Sequence, residues 1–147
     1  MSKVSLLQID ENSPLISALA SMFHSEWPDF KVSDLGISNP EVPLPIAALS
    51  DGKLIGGLAF SLFEEPGCTH KVVWLNAVYV RCDFRGQGIA SQLIRYAQRQ
   101  LKPSQSGLYA YTNVPALYQS LGWSEIDTES EPNHKVMRVS RTPQRQV

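Results

Sequence analysis

The chain has 147 residues, 43% of them hydrophobic and 18% charged, enough to enclose one core and too few for two, so a single domain over 1–147 is expected. Thirteen Lys and Arg against 14 Asp and Glu give a net charge of −1, which leaves no global basic field to hold a nucleic acid or an anionic membrane surface. Apolar stretches such as Ile46 to Leu49 fall far short of the ~20 residues that span a bilayer, and Gln8 and Asp10 break the N-terminus before a signal-type run can form, so a cytoplasmic protein is expected.

Val4 to Ile9 reads as a first strand, and Asn12-Ser13-Pro14 then supplies a cap and a proline suited to a first helical turn. Leu15, Leu19, Met22 and Phe23 follow at helical spacing, which predicts a helix to about Glu26. From Trp27 to Pro45 the prolines at 28, 40, 43 and 45 predict a short helix or loop that covers one end of the core. Ile46 to Ser50 and Lys53 to Phe63 flank Asp51-Gly52, a strong hairpin signal. After the Pro66-Gly67 turn, Lys71 to Val80 is a long apolar strand of central-sheet character.

Ile89, Leu93, Ile94, Ala97 and Leu101 form a helical stripe, with Gln92, Arg95, Gln98 and Arg99 on the other side and Pro103 as the stop. Leu108 to Thr112 is a short strand, and Asn113 to Leu121 a short helix with Pro115 in its first turn and Gly122 at its end. Trp123 to Asp127 and Lys135 to Val139 read as a closing hairpin, and Thr142 to Val147 as a frayed tail. The order is that of an α/β sandwich built on one mostly antiparallel sheet.

The two cysteines, Cys68 and Cys82, bracket the run His70 to Val80. An extended run at ~3.3 Å per residue holds them beyond disulfide reach, so both should be free thiols. Neither has a CxxC partner or metal-ligand spacing to His24, His70 or His134, and no metal site is expected.

The most informative residues are Arg85-Gly86-Gln87-Gly88-Ile89-Ala90, placed between a buried strand and an amphipathic helix. Glycines let the backbone approach a ligand, and free N–H groups at a helix start attract an anion. A sharp strand-to-helix turn also needs glycine for structural reasons alone. No GxxxxGK[ST] is present, which excludes a P-loop. A dinucleotide fingerprint would want Gly or Ala at Ser91 and an acid on the next strand, yet no Asp or Glu occurs from Phe84 to Trp123, so an NAD-binding oxidoreductase is disfavoured.

Here the chain resembles the GNAT family, the Gcn5-related N-acetyltransferases, whose main signature is a strand ending in V-x-P-E-x-R-G-x-G-[IV]-[GA]. It stands as Val80 to Ala90, with Cys82 at the usual proline, Asp83 at the usual glutamate and Gln87 where a base is common. A second family element, N-x-x-A-x-x-x-Y-x-x-x-G-[FW] or a near variant, is matched by Asn113, Ala116, Tyr118, Gly122 and Trp123, with Ala116 two positions before the tyrosine. The resemblance covers roughly Leu44 to Asp127. It implies a mixed, mostly antiparallel twisted sheet of about seven strands with helices on both faces, and acetyl-CoA as acetyl donor.

Residue by residue, the resemblance implies a β-bulge and pantetheine-pairing backbone at Val78, Tyr79 and Val80. The amides of Arg85, Gly86, Gln87, Gly88, Ile89 and Ala90, extending to Ser91, would hold the pyrophosphate, with charge added by Arg85. Asn113 would touch the pantetheine, unless it is a helix cap. Tyr118 would aim its hydroxyl at the thioester sulfur, although a core tyrosine fits the same spacing.

The acceptor ammonium needs a base, and Lys71 to Val80 contains no acid. Glu26 is the first choice, with Asp29, His24 or a water chain as alternatives; Trp27, Trp74 and Asn76 are candidates for the acceptor pocket, Trp74 equally for the core. The expected activity is N-acetyl transfer to a small-molecule or peptide amine by direct attack through a tetrahedral intermediate. A catalytically silent acyl-CoA sensor is the alternative, and the resemblance is compatible with a homodimer. Residues 1–80 carry nine acids against four lysines, and residues 81–147 nine bases against five acids. With the first half bordering the acceptor, a cationic amine is expected.

Overall fold

The computed structural model describes residues 3–141, so the tail from Thr142 to Val147 lies outside the described residues. The chain runs through β1 (Val4–Gln8), α1 (Leu15–Glu26), a 3-10 turn at Val32–Leu35, β2 (Ile46–Ser50), β3 (Lys53–Glu64) and β4 (Lys71–Val80). A second 3-10 turn at Cys82–Phe84 precedes α2 (Ile89–Arg99), β5 (Gly107–Thr112), α3 (Pro115–Ser120), β6 (Ser124–Ile126) and β7 (Lys135–Ser140). The strands form one sheet in the order β1-β2-β3-β4-β5-β7-β6. Every neighbouring pair is antiparallel except β4 with β5, the arrangement the family resemblance implies.

Period-two alternation divides the core into two layers. Ile46 and Ala48 of β2 and Leu58 and Phe60 of β3 pack with Leu93, Ile94 and Ala97 of α2, whereas Ala47 and Ala59 face Leu19 and Phe23 of α1. Leu19 and Leu93 are fully enclosed, each worth roughly 1.5–3 kcal/mol of burial. On β3, α1 lies so close that a Cβ added at Gly57 would stand 2.4 Å from a Leu19 methyl. Only a bare Cα fits there.

Local signals explain most boundaries. Asp51 and Gly52 both take positive φ, 51° and 79°, the twist a two-residue hairpin needs. Ser13 Oγ accepts the Leu15 N–H at 3.1 Å ahead of α1. The α2 stripe stops earlier than the apolar pattern predicts: Gln100 N–H bonds to Ala97 O at 3.0 Å and the helix ends at Arg99, leaving Leu101 buried beyond it. Pro103 biases Lys102 away from the helical region, which favours that stop. The closing hairpin forms as expected, with β6 antiparallel to β7, and it joins the sheet through β7, which lies between β5 and β6.

The bulge lies two residues before the expected Val78 to Val80. Ala59 pairs with Ala77 but Phe60 with Leu75, so Asn76 is the extra residue of β4. Val78 to Val80 pair regularly with Leu58 to Gly56.

Candidate active site

The sheet opens at its parallel joint. β4 and β5 share only the pairs Val73 with Leu108 and Trp74 with Tyr109, and β4 then runs on to Val80 without a β5 partner. Arg81 N–H bonds to Ile55 O at 2.8 Å on the β3 side. Strand groups alternate, so Val78 and Val80 turn their N–H and C=O groups toward β5 and into the gap. Tyr79, in the middle, directs its backbone at β3. Between the separated strands lies a cleft of about 630 Å³, a size suited to a small-molecule site.

Many expected residues meet there. Val78, Tyr79 and Val80 line one wall, Asn113 and Tyr118 the other, and Glu26, Trp27, Asn76, Arg85 and Ala90 border the same space. Trp27 meets Tyr79 edge-on, with ring centroids 6.4 Å apart. Tyr118 is only 6% exposed and packs edge-on against Trp123 with centroids 4.9 Å apart. Burial pushes its hydroxyl pKa up to about 12, so the group stays protonated and able to donate near neutral pH. Asn113 is exposed and caps nothing; Thr112 Oγ1 instead accepts the Val114 N–H at 2.9 Å before α3.

At the open end of β4 the glycine turn takes the conformation its residues demand. Gly86 and Gly88 have φ of +81° and +79°, and Gly88 immediately precedes α2. Gln92 N–H is the first in this stretch to find a carbonyl, that of Gly88 at 3.1 Å. Among the described residues, the amides of Gly86, Gln87, Gly88, Ile89, Ala90 and Ser91 have no backbone acceptor. They form a cluster of free donors at a helix start, an anion-holding arrangement. Arg85 bends back from this turn. Its Nε donates to Val80 O at 2.8 Å and its guanidinium stands 5.5 Å from the Tyr79 ring centre, so the cleft-facing carbonyl of Val80 is already engaged.

Other expected residues lie elsewhere. His24 Nδ1 is bonded to Phe30 O at 3.0 Å, and neither His24 nor Asp29 lines the cleft. Trp74 is half-buried outside the cleft, its Nε1 donating to Phe63 O at 3.3 Å. It lines a second groove of about 1120 Å³ with Phe63 and Tyr111. Glu64 and Glu65 from one hairpin and Glu129 and Glu131 from the β6–β7 loop complete that lining, which has no Lys or Arg. Leu75, Asn76 and Tyr111 line groove and cleft alike, so the two adjoin there.

The residues sequence reasoning missed are Tyr111 and His134, both bordering the cleft. No motif marks either one; the only signal is a lone His directly ahead of a strand. The β3–β4 turn also departs from expectation, since it brings one potential ligand atom each from Glu65, Cys68 and His70 within 4.8 Å of one another. Glu65 is satisfied there without a metal: the Tyr109 hydroxyl donates to it and His70 Nε2 lies 2.5 Å from its other oxygen. The Tyr109 bond foremost holds the Glu65 carboxyl below its ordinary pKa. Cys68 and Cys82 are both free and exposed.

A mixed sheet opened at its parallel joint, with a glycine turn offering bare amides at the open end, defines an N-acetyltransferase type of α/β domain. The chain belongs to the acetyltransferase (GNAT) family, whose model matches residues 12–123. No curated protein matches the sequence. Among solved structures, an aminoglycoside 6'-N-acetyltransferase complexed with coenzyme A is similar with a TM-score of 0.72 at 17% identity, covering 97% of this chain and 99% of that one. The aminoglycoside 6'-N-acetyltransferase from Enterococcus faecium gives 0.71 at 17%, with 97% and 99% covered. The ribosomal-protein-S18-alanine N-acetyltransferase from Escherichia coli gives 0.68 at 14%, with 98% and 97% covered. At such identities the likeness establishes the fold. Among the described residues, no helix is long and apolar enough to cross a membrane.

Proposed function

We propose that the protein transfers an acetyl group from acetyl-CoA to a cationic amine, by direct attack through a tetrahedral intermediate. The observation that carries this reading is the β4–β5 gap, which leaves the Val78 and Val80 backbone without a β5 partner beside six free amides. The pantetheine arm would complete the missing strand edge, and the pyrophosphate would sit on the amides of Gly86 to Ser91. Of the cleft-facing groups, the Val78 and Val80 N–H and the Val78 C=O are open to that arm, while Val80 C=O is held by Arg85. A backbone N–H of β4 would stabilise the oxyanion, and the protonated Tyr118 hydroxyl would donate to the leaving sulfur.

The acceptor would occupy the groove that adjoins the cleft at Leu75, Asn76 and Tyr111. Its aromatic lining suits an apolar or ring-shaped body, and its four carboxylates suit cationic substituents. Glu64, Glu129 and Glu131 form no ion pair among the described residues. Glu26, exposed at the cleft border, would add to the attraction. Two exposed free thiols support a reducing, cytoplasmic setting.

The test is release of free CoA thiol from acetyl-CoA across a panel of aminoglycosides, polyamines, arylalkylamines, amino acids and peptides. Turnover with cationic members is expected. Tight CoA binding with no turnover on any amine would mean a sensor instead.

A further inference from the structure

His134 ends the β6–β7 loop and faces the cleft that also holds Tyr118. Its Nδ1 lies 3.1 Å from the carbonyl oxygen of Pro132. A carbonyl can only accept, so Nδ1 carries the hydrogen, and the neutral ring keeps its lone pair on Nε2. The imidazole is stacked on Tyr111, with centroids 4.9 Å apart and planes 22° apart. Tyr111 is fixed in turn, because its hydroxyl accepts the Glu131 N–H at 2.9 Å. One bond sets the tautomer and one stack sets the plane. Since Tyr111 borders groove and cleft together, the imidazole stands where acceptor and donor meet.

We infer that His134 is the catalytic base that takes the acceptor's proton, an inference that rests on the acetyl-transfer reading above. β4 offers no carboxylate, and His24 is engaged outside the cleft. Glu26 shares the cleft, but an imidazole is by nature a better proton acceptor than a carboxylate. The acceptor nitrogen sheds two protons. The first passes from the ammonium to Nε2 and from the imidazolium to solvent, freeing the lone pair that forms the C–N bond. The second leaves nitrogen as the tetrahedral intermediate collapses and the C–S bond breaks, and it ends on the departing sulfur to give CoA thiol and amide.

Acceptors of different basicity separate a proton acceptor from a structural prop. His134→Phe keeps an aromatic ring for Tyr111 without a nitrogen, and His134→Ala leaves room for added imidazole. With an acceptor that is an ammonium at the assay pH, both variants should lose ~10²-fold or more in kcat, partly restored by imidazole in the alanine variant. With a weakly basic amine, neutral at that pH, the loss should stay below ~3-fold, because no proton need leave before attack. CoA affinity, measured by calorimetry, should match the parent in both, and His134→Gln serves as the substitute if either variant misfolds. Equal losses with both acceptors, or an ammonium kcat within ~3-fold of the parent, would overturn the base assignment. A parent protein that binds CoA yet acetylates no amine would overturn the acetyl-transfer reading, and the base with it.

Discussion

Arg85 Nε donates to the carbonyl oxygen of Val80 at 2.8 Å, so the first residue of the glycine turn is tied to the last residue of the central strand. The bond satisfies a carbonyl at the mouth of the cleft and fixes a cation on the cleft border. Arg85→Ala removes both effects. CoA affinity should fall by ~10-fold, equivalent to about 1.4 kcal/mol. Arg85→Lys should recover only part of it, since a lysine restores the charge without the fixed Nε geometry. Calorimetric Kd values for the three proteins check this, and an unchanged Kd in the alanine variant would refute it.

A Cβ at Gly88 would meet no protein atom within 4 Å, yet its φ is +79°. The cost of Gly88→Ala is therefore backbone strain of ~1–2 kcal/mol, together with displacement of the amides that face a phosphate. Gly52 provides a matched control, with the same φ and the same open surroundings but at a distant hairpin. Both alanine variants should lose similar thermal stability. Only Gly88→Ala should lose CoA affinity, by ~10-fold or more.

Tyr118→Phe should leave CoA binding intact, because the ring still packs on Trp123, and should lower kcat by ~10²-fold. Stability supplies an independent readout. The folded pKa of about 12 lies above the ordinary tyrosine value of 10.0, so the folded state retains a proton the unfolded chain gives up. The resulting stability is fully present below pH 10 and is lost as pH rises through about 12. At most ~3 kcal/mol is involved. Chemical denaturation at pH 9 and pH 11.5 should show a smaller alkaline loss in the phenylalanine variant than in the parent.

Neutralising the loop acids with Glu129→Gln and Glu131→Gln should raise KM for a dicationic acceptor several-fold and flatten the salt dependence of kcat/KM. CoA affinity should not move. An equal effect on a neutral acceptor would point to a disturbed loop instead of lost attraction.

Local chemistry made much of the fold legible. Asp51-Gly52 specified its hairpin, the Ile89 to Ala97 stripe its helix, and Gly86 with Gly88 the turn, since each depends on conformations its own residues favour. The bulge at Asn76 and the insertion of β7 beside β5 left no local trace, because both are set by pairing between distant segments. Charge was legible only in part. Counting by halves of the chain pointed to the first eighty residues, whereas the acids that line the groove come from both halves, Glu64 and Glu65 with Glu129 and Glu131. His134 gave no sign of acting as a base, because its meaning lies in what the loop sets beside it, the Pro132 carbonyl and the Tyr111 ring.

Among the described residues, the pairs Val73 with Leu108 and Trp74 with Tyr109 are the only rungs joining β1–β4 to the remaining three strands. The sheet is in effect two plates meeting along a short seam, and the proposed donor site is the unsewn part of that seam. A molecule lodged there would mortar one plate to the other, adding backbone bonds where the protein supplies fewest. Its departure would loosen plate against plate without melting either, and the rung amides would be the first to register the change in hydrogen exchange.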